Sequence, residues 1–104
     1  MKNDSPGHRV VITGIGCVTP IGVGRDAFWA SLRNGESGVR TIESFDVQDL
    51  PVKIAAEVRD FDWKASLDPK DRKHVPRTVP LALAATREAI SDAGIDTADM
   101  SIDE

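Results

Sequence analysis

Four glycines and the only cysteine share one eleven-residue stretch: Gly14, Gly16, Cys17, Gly22 and Gly24. A glycine-rich loop after a strand is one way to cradle phosphate, because bare backbone N–H groups can approach an anion closely. A cysteine beside a base is one way to make a thiolate nucleophile. The histidines that could serve as that base are His8 and His74. A third chemical feature is the basic run "KDRKHVPR", which gathers Lys70, Arg72, Lys73, His74 and Arg77 in a chain of net charge −4.

The first two patterns fail as chemistry. A dinucleotide fingerprint requires G-x-G-x-x-G opening a helix. Here the run is Gly14-Ile15-Gly16-Cys17-Val18-Thr19, followed by Pro20. Threonine stands where the third glycine belongs, and the next helix starts only near Arg25. No G-K-[ST] is present for a phosphate loop. The loop therefore reads as a glycine-relieved turn in which backbone packs tightly. Cys17 has no positioned base, since His8 lies in a polar leader and His74 in the basic run. A lone cysteine among apolar neighbours is expected as a small core residue.

These residues need elements to hold them. Val10-Val11-Ile12 is apolar on consecutive positions, the pattern of a strand buried on both faces of a parallel or mixed sheet. "RDAFWASLRNG" predicts a short helix, with Phe28 and Leu32 on one face, Asp26 in the first turn, Arg33 in the last and Asn34-Gly35 as the stop. Val52 to Val58 alternates like an edge strand, while Phe61 and Trp63 are expected to anchor a loop onto the core. "TVPLALAATREAISDAG" predicts the strongest helix, with Thr78 as N-cap, Pro80 in the first turn and Gly94 as the stop. Val79, Ala82, Leu83, Ala89 and Ile90 make its apolar stripe, with Arg87, Glu88 and Asp92 mostly on the other side. Residues 1–8 read as a flexible tail, and the acidic end "IDTADMSIDE" as lacking a final element.

The chain has 104 residues, 40% hydrophobic and 29% charged, an ordinary composition for a soluble α/β domain. Its acidity argues against nucleic acid as a partner. No apolar run approaches the ~18 residues of a membrane span, and the leader has no apolar signal core. One cysteine forms no internal disulfide, and no Cys/His spacing fits zinc. A soluble cytoplasmic protein is expected. Two strands and two helices can hardly cover a doubly buried strand, so the chain is expected to be a piece of a larger α/β enzyme.

Five segments in order carry a resemblance: "RVVITGIGCVTPIG", "FWASLRNGESGV", "FD", "VKIAAEVRDFD" and "LALAATREAISDAGID". Together they resemble the N-terminal part of the β-ketoacyl-acyl carrier protein synthases, closest to the type II condensing enzymes of fatty acid synthesis. The resemblance spans residues 9–96 and implies that 9–104 are the truncated N-terminal part of a thiolase-like fold, five layers in the order α-β-α-β-α. It implies a cytoplasmic homodimer that condenses an acyl thioester with malonyl-acyl carrier protein by decarboxylative Claisen chemistry, with no organic cofactor. The family's nucleophilic cysteine, two histidines and lysine match no position here, so the resemblance implies no catalytic residue in this chain and no such role for Cys17. It implies one candidate surface: Lys70, Lys73 and His74 take the places of basic residues that dock the acidic acyl carrier protein. The chain departs from the family where Lys/Arg-Met-Asp is replaced by His74-Val75-Pro76. An imidazole of ordinary pKa is mostly neutral at pH 7, which weakens the patch there. The bland alternative for this run is a solvated basic linker. A polyketide ketosynthase, a non-catalytic chain-length partner and an independent small binding module remain the other readings of the whole.

Overall fold

A tightly packed crossing between the glycine loop and the second helix organises the chain. The computed structural model describes residues 7–99. In chain order its elements are β1 (Val18–Thr19), β2 (Gly22–Val23), α1 (Arg25–Arg33), β3 (Val39–Thr41), β4 (Ile54–Ala56) and α2 (Thr78–Ala93), followed by a single 3₁₀ turn at Thr97–Asp99. The tail expected over residues 1–8 lies mostly outside the described residues, as does the end of the acidic segment.

β1 and β2 form a two-residue hairpin around Pro20-Ile21, pairing Val18 with Val23 and Thr19 with Gly22. The Thr19 hydroxyl donates to the Gly22 carbonyl at 2.9 Å. β3 and β4 pair antiparallel, Val39 with Ala56, Arg40 with Ala55 and Thr41 with Ile54. Arg59 ties the end of β3 to the segment that follows β4, donating from Nη2 to the Thr41 carbonyl at 3.0 Å and pairing with Glu57 at 3.3 Å. Both helices end in the same way. Glu36 N–H donates to the Ser31 carbonyl and Gly35 N–H to Leu32, with Gly35 at φ 68°. Ile95 N–H donates to Ile90 and Gly94 N–H to Ser91, with Gly94 at φ 67°. These are the 6→1 and 5→2 bonds of a Schellman stop, which needs the left-handed conformation that glycine adopts without a Cβ clash.

The structure corrects several expectations. Val10 to Ile12 form no ladder and are exposed, Val10 at 91% and Ile12 at 83%. A strand exists only where a neighbour pairs its N–H and C=O groups. The described residues supply two separate two-stranded ladders, and neither flanks this segment. The edge strand expected over 52–58 is three residues long, Ile54–Ala56, and pairs with Val39–Thr41. α2 does begin at Thr78 with Pro80 in its first turn, but the flanking position is Arg77 and no side chain caps the end. The acidic end does carry one further element, the 3₁₀ turn. Trp63 is only partly covered; among the described residues Val47, Leu67 and Pro80 are the buried apolar side chains.

The core is correspondingly thin. The radius of gyration is 18.7 Å, where a compact domain of this length has about 13 Å. The accessible surface is 8777 Å², against about 5,700 Å² for a compact monomer of this mass. Close packing is concentrated where the loop crosses α2. A Cβ on Gly14 would meet the Ala89 carbonyl and lie 2.6 Å from the Ala93 nitrogen. A Cβ on Gly16 would run into the Ala85 carbonyl and lie 2.7 Å from the Ala89 nitrogen. Gly14 and Gly16 are two apart on an extended chain and so share a face. Ala85, Ala89 and Ala93 repeat every four residues and line one face of the helix. Gly16→Ala is expected to lower stability by about 1–3 kcal/mol through overpacking, read as a drop in the thermal unfolding midpoint; Gly7→Ala, which meets nothing within 4 Å, is the unchanged control.

Candidate functional site

The loop that resembled a phosphate cradle is already filled, by carboxylates. Ile15 N–H donates to Asp92 Oδ2 at 3.0 Å and Cys17 N–H to Glu88 Oε1 at 2.9 Å. Arg25 N–H, at the start of α1, donates to both Glu88 oxygens at 3.1 and 2.9 Å. Glu88 thus caps α1 from another helix, where Gly24 offers no side chain. Negative charge at a helix N-terminus is favourable, and the arrangement mimics anion binding with the protein's own side chain. The Arg25 guanidinium in turn pairs with Asp92. With its amides turned to two carboxylates, this loop repels rather than receives phosphate.

Two titrations follow from this geometry. The hydrogen bond from Arg25, then that from Ile15 N–H, hold the Asp92 carboxyl below the usual carboxylate range. Burial first, and then the charge of Glu88, push the Cys17 thiol up; Arg25 opposes them more weakly. A raised thiol pKa leaves less thiolate at neutral pH. The expectation that Glu88 and Asp92 face away from the packed side of α2 is overturned. They sit beside the Ala85–Ala89–Ala93 face and bind the loop. The signal was available as an acidic i, i+4 pair next to alanines of the same period.

The predicted docking residues lie in the turns that lead into α2. Lys70 N–H donates to Asp68 Oδ1 at 3.1 Å, Asp71 N–H to the Asp68 carbonyl at 2.9 Å, and His74 N–H to the Asp71 carbonyl at 3.1 Å. Lys70, Lys73 and His74 are all exposed. Lys70 Nζ is 3.6 Å from Asp68, an exposed pair worth little. Lys73 has no carboxylate partner among the described residues. Sequence reasoning missed the neighbours of these residues. Residues 63–80 carry five Lys/Arg and two Asp/Glu, while the rest of the chain carries eight and fifteen. An open groove of about 410 Å³ lies beside the basic turns, lined by Trp63, Leu67, Val75 and Pro80 with Arg72 and Arg77. Among the described residues no cluster of His, Cys, Asp and Glu is arranged to hold a metal, and no helix is long and apolar enough to cross a membrane.

Known proteins align with this arrangement. The family described as β-ketoacyl synthase, N-terminal domain, matches residues 7–103. The chain belongs to the β-ketoacyl synthase family. It is 38% identical over 96 residues to a 3-oxoacyl-[acyl-carrier-protein] synthase 2 of Synechocystis sp., covering 92% of this chain and 23% of that protein. It is 48% identical over 91 residues to a putative polyketide beta-ketoacyl synthase 1 of Streptomyces halstedii, covering 86% of this chain and 21% of that one. Among solved structures, the ishigamide ketosynthase/chain length factor superposes with a TM-score of 0.70 at 37% identity, over 86% of this chain and 22% of its own. The family and this likeness imply a thiolase-like fold, of which the described residues display a few elements. This β-ketoacyl synthase chain spans about a fifth of the length of the relatives it matches.

Two outcomes are expected in this synthase chain. Because Asp92 titrates lower when folded than when unfolded, the folded state binds fewer protons, and the stability Asp92 confers is complete above the ordinary carboxylate pKa. It is lost as pH falls below about 4 and through the folded value. Urea unfolding across that range should show Asp92→Asn less stable than wild type at pH 7, with the gap closing in acid. Cys17 should react with iodoacetamide at neutral pH more slowly than a free cysteine, and reach the free rate once the chain is denatured.

Proposed function

We propose that this chain is the amino-terminal portion of a 3-oxoacyl-acyl carrier protein synthase that elongates acyl chains in fatty acid biosynthesis. In this reading the whole enzyme carries an acyl group on a cysteine outside this chain. Malonyl-acyl carrier protein loses carbon dioxide, its α-carbon attacks the acyl thioester carbonyl, the cysteine thiol departs, and a 3-oxoacyl thioester results. The observation that carries the reading is the family match over residues 7–103 together with kinship to 3-oxoacyl-[acyl-carrier-protein] synthase 2. The chain contributes scaffold, a clamped loop and the first long helix, rather than reacting groups. The whole protein is then a cytoplasmic homodimer with the five-layer thiolase-like fold. The exposed Val10–Ile12 segment supports this, since it has the composition of an interior strand and lacks a sheet of its own.

A second reading has its own support. The 48% identity to a polyketide synthase of Streptomyces halstedii, and the likeness to a ketosynthase/chain length factor, favour a polyketide ketosynthase or a non-catalytic chain-length partner. Elongation of an acyl group with loss of carbon dioxide from malonyl-acyl carrier protein separates a condensing enzyme of either kind from a non-catalytic chain-length partner. The polypeptide that includes this chain should decarboxylate and elongate an acyl-acyl carrier protein. A chain-length partner takes no acyl group on a cysteine, and the 104-residue chain alone should yield no product.

Lys70, Lys73 and His74 are the carrier-protein contact in this proposal. A local basic patch on an acidic chain steers an acidic partner and orients it. Lys70→Glu with Lys73→Glu should raise the carrier-protein KM about tenfold or more at low salt, with the difference shrinking as salt screens the patch. An unchanged KM at low salt removes the patch from the proposal.

A further inference from the structure

We draw no further inference here: the strongest candidate, the open polar cavity lined by the β1–β2 hairpin with Glu36, Arg40, Arg59 and Asp60, carries nothing, because the chain spans about a fifth of the length of its relatives and nothing in the structure shows what covers that cavity.

Discussion

The match between one turn of helix and two residues of extended backbone holds this chain together. Glu88 and Asp92 are four residues apart on α2, about 6 Å along the axis. The amides of Ile15 and Cys17 are two residues apart on an extended chain, about 6.6 Å. Carboxylates at that spacing can therefore meet alternate amides in register, as they do at 3.0 and 2.9 Å. The contact bridges more than seventy residues of sequence. It also requires that the backbone lie against the helix surface, which is why Gly14 and Gly16 face Ala85, Ala89 and Ala93 with no room for a Cβ. Hydrogen bonds to charged acceptors are the stronger kind, and removing the side chains on both sides brings the groups into reach. The glycines serve close approach between elements rather than a ligand.

This explains what the sequence disclosed and what it withheld. Helix stops were legible because their causes are local. Asn34-Gly35 and Gly94 end α1 and α2 through left-handed glycines whatever surrounds them. The loop's unfitness for nucleotide was legible from Thr19 and Pro20 alone. What fills the loop was not, because Glu88 and Asp92 look like ordinary solvated acids until α2 is laid against residues 14–17. The pairing of Val39–Thr41 with Ile54–Ala56 was similarly hidden. Three-residue strands, exposed over most of their length, leave almost no alternation to read. Thr78 is a good capping residue by type, yet the helix starts one position too early to use it. The basic turns were visible as charge, whereas the groove beside them depends on Trp63 and Pro80 meeting across seventeen residues of sequence.

The same reasoning separates two kinds of apolar residue. Leu67 and Val47 are covered by their own chain. Val10, Val11, Ile12, Val52 and Ile54 are not, each being more than half exposed. Scattered exposure of this kind is common on any surface, but a run of three consecutive β-branched residues is not explained by local packing. The segment has the composition of an interior strand and the hydrogen-bonding state of a loop. Propensity alone does not make a strand; a paired neighbour does. In the proposed reading, in which the whole protein is several times longer, the segment is an interior strand of a sheet that the described residues do not themselves form.

α2 carries these two regions at opposite ends, and the contrast between them is electrostatic. Its second half presents Glu88 and Asp92 to donors that neutralise them. Its first turn holds no acidic residue and no side-chain cap, and Arg77 stands directly before it. Cations at a helix N-terminus oppose the dipole by a few tenths of a kcal/mol to about 1 kcal/mol each when exposed. Lys73, Arg72 and Arg77 crowd the approach to that end, so the helix begins in a field that disfavours it. Local stability would place acids there, as it does with Asp26 in α1. Arg72 and Arg77 are held there by the Lys64 and Val58 carbonyls instead, and neither has a carboxylate partner among the described residues.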